Sequence, residues 1–361
     1  MTTMTFIYLI AGITLLVMGA EVLVRGAARL AAQLGISPLV IGLTVVAFGT
    51  SAPETAVSVQ AAFEGSGDLA IGNVVGSNIA NVLLILGITA LVAPLLVSRQ
   101  LIRQDVPIMI GASLLTYALA FDGGLSKIDG AVLFACVVGY TAFLIYQSRK
   151  EGKQADDEFD DEFGLKEANR PYAWAHHLLL ITVGLVLLVL GSNWLVEGAT
   201  TLARALGISE LVIGLTVVAI GTSLPELATS VIAAIKGQRD IAVGNIVGSN
   251  IFNLLCVLGL SSLVSPLPIN VSANALAFDF PVMIAVAIAC LPIFFAGYCI
   301  NRWEGLLFLA YYVAYTAYLV TSTTGQAFAT TLSHAMLGYV LPLTAVSLVV
   351  IASRAWRKQR N

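Results

Sequence analysis

The chain has 361 residues, of which 58% are hydrophobic and only 11% charged, and its net charge is −3. Soluble domains carry about a quarter charged residues, so an ordinary soluble domain is excluded. A small negative net charge also argues against a nucleic-acid partner.

A bilayer core is about 30 Å thick and takes about 20 apolar residues per helix. Eleven such spans can be placed in chain order, with limits 5–30, 38–62, 69–94, 105–121, 128–147, 173–203, 210–235, 241–265, 277–296, 303–321 and 333–353. The first lacks a basic leader and a small-residue cleavage site, so it is expected to be a span and not a signal peptide. The one long polar stretch, Gln147 to Arg170, has "DDEFDDEF" at its centre. It is too charged to bury and is expected to be a solvated linker. The four cysteines, Cys136, Cys256, Cys290 and Cys299, lie in apolar segments without CxxC spacing. They read as buried small hydrophobes, neither a disulfide framework nor a metal site.

The linker divides two copies of one unit. "GISPLVIGLTVVAFGTSAPETAVSVQAA" from Gly35 matches "GISELVIGLTVVAIGTSLPELATSVIAA" from Gly207, and "GNVVGSNIANVLLILG" from Gly72 matches "GNIVGSNIFNLLCVLG" from Gly244. The offset is 172 in both cases, without gaps, which marks an internal repeat. Weaker echoes, "QDVP" at Gln104 with "FDFP" at Phe278 and "IDG" at Ile128 with "WEG" at Trp303, extend each copy to five spans.

Five is odd, so tandem copies must lie in opposite orientations. The loops agree: "FEGSGD" carries no Lys or Arg, whereas its counterpart "IKGQRD" carries two. Arg25, Arg29, Arg99, Arg103, Arg149, Lys150, Lys153, Lys236, Arg239, Arg302 and the tail "RAWRKQR" fall on one side, with Lys127 and Arg204 as exceptions. The expected fold is an all-α polytopic membrane protein: an inverted-topology repeat of two five-helix halves, a ten-span core, plus an eleventh C-terminal span. The halves are residues 1–147 and 172–322, joined by the acidic linker 148–171 and followed by 323–361. The N-terminus is expected outside the cytoplasm; the linker and C-terminus, inside it.

Glu54 and Glu226 each lie mid-span at equivalent positions. A charge at the helix centre costs about 2.5–3.5 kcal/mol on insertion scales, so such residues face a cavity or an ion path. Around the first, Gly49, Thr50, Ser51 and Pro53 disfavour a continuous helix. Carbonyls freed near Ala47 and Thr50 need partners, and irregular backbone at this depth is tolerated where it lines a cavity. Ala219, Thr222, Ser223 and Pro225 repeat the arrangement around Glu226. Carbonyls, hydroxyls and a carboxylate together make an all-oxygen site suited to hard cations. In the third span Asn73, Ser77 and Asn81 are four apart and share one stripe, as do Asn245, Ser249 and Asn253 in the eighth. Polar glue between helices is an equal reading for Asn73 and Asn245. Asn78 and Asn250 face elsewhere, where they can satisfy backbone groups. Asp105, Asp129, Asp279 and Glu304 lie near span ends, where capping or solvation is expected. His176, His177 and His334 read as interface residues, and no nucleophile elbow, phosphate loop or protease motif is present.

"GTSAPE", "GNVVGSN" and their second copies resemble the two α-repeats of the sodium/calcium exchangers, in the calcium:cation antiporter superfamily. The resemblance covers the ten spans to about Thr321. It implies a ten-helix inverted-repeat fold of bacterial or archaeal type in the prokaryotic plasma membrane, with Ca²⁺ and Na⁺ competing at the midplane. Carried over, Glu54 and Glu226 are bidentate Ca²⁺ ligands, helped by the carbonyls of Thr50 and Thr222. Ser51, Ser77, Ser223 and Ser249, with the carbonyls of Ala47 and Ala219, line flanking Na⁺ sites, and Asn81 and Asn253 complete the centre. Many members carry aspartate where Asn253 stands here. This site has two carboxylates, whose two charges balance one Ca²⁺ or two monovalent ions.

Gly12, Gly19 and Gly26 are seven apart, as are Gly184, Gly191 and Gly198, which keeps each set on one helix face. The stripes suit either sliding across the core or plain close packing. The function expected is Na⁺-driven extrusion of Ca²⁺ by a non-enzymatic antiporter, without a cofactor, nucleic acid or obligate protein partner. Proton coupling is the nearest alternative; an intramembrane acid–base enzyme and a passive channel fit the residues less well. Protons and cations compete for the same two carboxylates. Ca²⁺ binding, measured by calorimetry, is therefore expected to weaken as the pH falls from about 8 to about 5.

Overall fold

The computed structural model describes residues 3–163, 173–206 and 219–323, with the single positions 336 and 342. The eleventh span expected at 333–353, the start of the seventh and the end of the acidic linker therefore lie outside the described residues. The fold is 86% helical, the form in which a span satisfies its own backbone hydrogen bonds in lipid.

Helix α1 covers Thr3–Leu34. Helices α2, Pro38–Thr50, and α3, Ala52–Phe63, are one apolar run bent by 48° at its break. Helix α4 is Gly67–Val92, α5 spans 101–119 and α6 runs Lys127–Phe163. Then come α7, Ala173–Ala205; a short turn, Ala219–Gly221; and α8, Leu224–Ile235. Helices α9, Arg239–Val264, α10, Ala275–Phe295, and α11, Arg302–Thr323, complete the described chain. Seven of these helices are long and apolar enough to cross a membrane, or eight with the bent pair as one span. Helix α6 does not stop at the expected span end: its apolar part is Lys127–Ser148, and the helix continues through the acidic run to Phe163.

Helices α4 and α9 form the centre. The core windows of their spans are 78% and 100% buried inside the protein, against a third or less for α1, α6, α7, α10 and α11. Four two-residue strands tie the ends of the spans crosswise. Strand β1, Leu95–Leu96, pairs antiparallel with β4, Cys299–Ile300, and β2, Gly124–Leu125, with β3, Ile269–Asn270. Each pairing joins one copy of the repeated unit to the other.

The glycine stripes face each other. A Cβ on Gly12 would stand 2.7 Å from the Leu195 nitrogen and 2.9 Å from the Gly191 carbonyl; one on Gly19 would stand 2.8 Å from the Leu188 nitrogen. In return, Gly184 would meet the Leu23 nitrogen at 2.6 Å and Gly191 the Leu16 nitrogen at 2.7 Å. The residue numbers run oppositely, so α1 and α7 are antiparallel and touch backbone to backbone. Of the two readings of the stripes, close packing is the one observed, and neither stripe faces the core.

The α1–α7 pair sits asymmetrically on the rest. Helix α1 packs along α8, where Lys236 Nζ donates to Glu21 Oε1 at 2.8 Å and Arg25 joins the same carboxylate. The repeat-equivalent packing of α7 on α3 is not made to a comparable extent among the described residues. Ala56, Val57 and Gln60 on α3 are consequently exposed, while their counterparts Ala228, Thr229 and Ile232 are covered.

Gly191→Leu is expected to lower the thermal midpoint in detergent, because a side chain there displaces α1 backbone at an overpacking cost of about 1–3 kcal/mol. Gly139→Leu, whose Cβ meets nothing within 4 Å, is expected to leave the midpoint unchanged.

Candidate ion-binding site

Both kinks are built alike. Ser51 ends α2 with φ −78° and ψ 11°, and Pro53 lies in the first turn of α3. Ser223, with φ −90° and ψ 7°, and Pro225 do the same for α8. Proline is tolerated there because the first N–H groups of a helix have no intrahelical partner. Glu54 and Glu226 fall in the first turns of the restarted helices, where the positive end of the helix dipole favours a carboxylate. Both side chains are fully buried.

Crossed hydroxyls hold them. The Ser51 hydroxyl donates to Glu226 Oε1 at 3.1 Å, and the Ser223 hydroxyl to Glu54 Oε1 at 3.0 Å. Ser77 Oγ on α4 lies 3.4 Å from Ser223 Oγ. Each carboxylate is thus bound by a hydroxyl of the copy that carries the other. The Thr222 hydroxyl stands beside Glu54 and the Ser249 hydroxyl beside Glu226, each outside strict hydrogen-bond geometry. The Thr50 hydroxyl donates to Asn245 Oδ1 at 3.0 Å.

The Ala47 carbonyl differs from the expectation of freed backbone. It accepts the Ser51 N–H at 3.0 Å, because the last turn of α2 closes before the break. In the second copy the Ser223 N–H closes on Ile220, three residues back, at 3.1 Å, and bypasses Ala219.

Asn73 and Asn245 act as brackets, one of the two readings of these residues. Asn73 Nδ2 donates to the Glu54 carbonyl at 3.3 Å and to Ser58 Oγ at 2.9 Å. Asn245 Nδ2 repeats this on the Glu226 carbonyl, at 3.5 Å, and on Ser230 Oγ, at 3.1 Å. Asn81 and Asn253 stand where α4 and α9 each widen into a π-turn, Asn81–Leu86 and Asn253–Val257. Such turns are frequent at functional sites, and the fourfold polar spacing in the sequence carries no sign of them.

Several buried polar atoms on these helices have no hydrogen-bond partner. Glu54 Oε2, Glu226 Oε2, Asn81 Oδ1 and Asn253 Oδ1 are buried acceptors without a donor, and the Thr222 and Ser249 hydroxyls are unpartnered as well. Buried polar atoms in native proteins are almost always paired, and an unpaired charged one is costly. Among the described residues no three His, Cys, Asp or Glu side chains come together.

The other acidic residues divide. Asp129 and Glu304 cap helices: Asp129 Oδ2 accepts the Ser126 N–H at 2.8 Å, and Glu304 Oε2 accepts the Asn301 N–H at 2.6 Å. Asp105 is instead fully buried. It accepts the Tyr140 hydroxyl at 3.0 Å and Gln100 Nε2 at 3.3 Å, and Asp279 accepts the Tyr315 hydroxyl at 3.1 Å. Solvation is therefore the wrong expectation for Asp105, since α6 covers it with a tyrosine. His176 and His177 lie at the start of α7 as expected, His334 is outside the described residues, and all four cysteines are free.

The model of the family described as sodium/calcium exchanger protein matches residues 4–146 and 176–321. The chain belongs to that family. Its relatives include the putative antiporter CaxA of Alkalimonas amylolytica, 41% identical over 88% of this chain and 98% of that protein. The sodium/calcium exchanger MaX1 of Methanosarcina acetivorans is 36% identical over 88% of this chain and 99% of its own length. Among solved structures, the sodium-calcium exchanger NCX_Mj soaked without Na⁺ and Ca²⁺ superposes with a TM-score of 0.75 at 31% identity, over 88% of this chain and all of that one. These relatives are membrane antiporters, not enzymes, and this member of the family is an integral, multi-pass membrane protein. Adding CaCl₂ to the purified exchanger-family protein is expected to raise its thermal midpoint. The linkage stabilises by about 2.7 kcal/mol at a hundredfold excess over Kd, and the Glu54→Gln/Glu226→Gln double variant is expected to lose the shift.

Proposed function

We propose that the chain is a secondary antiporter that exchanges Na⁺ for Ca²⁺, extruding Ca²⁺ by alternating access to a site between two inverted five-helix halves. One observation carries this reading: among the buried oxygens without a partner, four form two repeat-related pairs, Glu54 with Glu226 and Asn81 with Asn253. Each half supplies one member of each pair. The carboxylates hold Ca²⁺, with Thr50 and Thr222 beside them. Ser51, Ser77, Ser223 and Ser249 serve the flanking Na⁺ positions. The carbonyls of Ala47 and Ala219 would join only after local loosening, since Ala47 is occupied by its own helix. Cargo ions replace any resident cofactor.

The one-sided seating of α1 on α8 supports alternating access. A carrier resting on one side of the membrane must break the equivalence of its halves, and this protein does. The loop charges support an extracytoplasmic N-terminus, a cytoplasmic C-terminus and a plasma-membrane location, with residues 148–171 as the connection between halves and 323–361 as an addition. The names of CaxA and MaX1 support antiport and the Na⁺/Ca²⁺ pairing, respectively. Coupling to protons is the second reading, favoured by the two carboxylates themselves.

Radiolabelled Ca²⁺ flux in proteoliposomes separates these readings. An imposed Na⁺ gradient is expected to drive uptake and an H⁺ gradient of equal size is not, while Glu54→Gln abolishes the flux. Uptake driven by H⁺ alone would replace Na⁺ with protons.

A further inference from the structure

We propose that Asn78 and Asn250 are positioning residues for the cargo site, holding the Asn81 and Asn253 amides oxygen-end inward; this rests on the transport reading above. Four buried asparagines form one linked network between α4 and α9. Asn81 Nδ2 donates to Asn250 Oδ1 at 3.0 Å, and Asn253 Nδ2 donates to Asn78 Oδ1 at 3.1 Å. Asn78 and Asn250 are themselves fixed by exchange. Asn78 Nδ2 donates to the Asn250 carbonyl at 3.1 Å, and Asn250 Nδ2 to the Asn78 carbonyl at 3.4 Å. Sulfur backs both amides: Met283 Sδ lies 3.8 Å from Asn78 Nδ2, and Met109 Sδ lies 3.5 Å from Asn250 Nδ2.

An amide has two unlike ends. When its NH₂ is bound by an acceptor, its oxygen points the other way along the same plane. Asn81 Oδ1 and Asn253 Oδ1 are the ends left buried without a donor, and these are the ends a cation needs. Without the acceptor on the neighbouring helix, the amide is free to turn. Its NH₂ would then turn inward and place a partial positive charge where the cargo belongs. A carboxylate at the same position would present oxygen in either orientation. The network is thus needed because this chain has asparagine, with an amide to orient, at both positions.

A double-mutant cycle on the full chain in detergent, read by calorimetry with Ca²⁺, tests the proposal. Asn250→Leu removes the acceptor and is expected to lower Ca²⁺ affinity about tenfold, the effect of one lost charge-directed contact. In the Asn81→Asp background, where no amide needs orienting, Asn250→Leu is expected to change affinity less than about twofold. Equal losses in both backgrounds would make Asn250 a packing residue and overturn the proposal. The equivalent cycle, Asn78→Leu with Asn253→Asp, gives the same reading from the other half if Asn250→Leu fails to fold. Wild-type protein that binds no Ca²⁺ would overturn the transport reading itself, an outcome distinct from a cycle without coupling.

Discussion

Two carboxylates buried together without a basic partner are the constraint on which this structure depends. Among the described residues neither Glu54 nor Glu226 has an ion pair; each has one hydroxyl from the opposite copy and one oxygen left over. Such a pair repels itself in a poorly polarisable interior. The break at Ser51 and Ser223 makes the arrangement tolerable. It restarts a helix beneath each carboxylate, so the dipole and the crossed serine offset part of the desolvation. The brackets from Asn73 and Asn245 fix the restarted helices on α4 and α9, and one oxygen of each carboxylate is left without a partner.

Duplication supplies this economically in structural terms. Each copy carries one kink and one buried carboxylate. The bonds at the centre consequently run between copies: Ser51 to Glu226, Ser223 to Glu54, Asn81 to Asn250, Asn253 to Asn78. The short strands at the ends of the spans cross over in the same way.

Much of this was legible in the sequence, for a physical reason. Apolar length, proline beside glutamate and a constant offset of 172 are local signals, and each reports a local energy that a membrane imposes. The less legible features depend on partners far apart in the chain. The sevenfold glycine spacing names a face but not what covers it, so the meeting of Gly19 with Gly184 needed coordinates. Asp105 looked like a residue at a span end because its tyrosine comes 35 residues later, on another helix. Asn78 and Asn250 fall off the polar stripe, and only the crossing of α4 and α9 shows that they hold residues on it. Nor can two nearly identical copies say which is covered; that falls to positions where they differ, such as Glu21 against Asn193 and Lys236 against Glu64.

The backbone contact between α1 and α7 makes one body of two helices. Two rods joined along opposed glycines have no side-chain cushion between them. Whatever tilts one tilts the other, like the two arms of a balance beam.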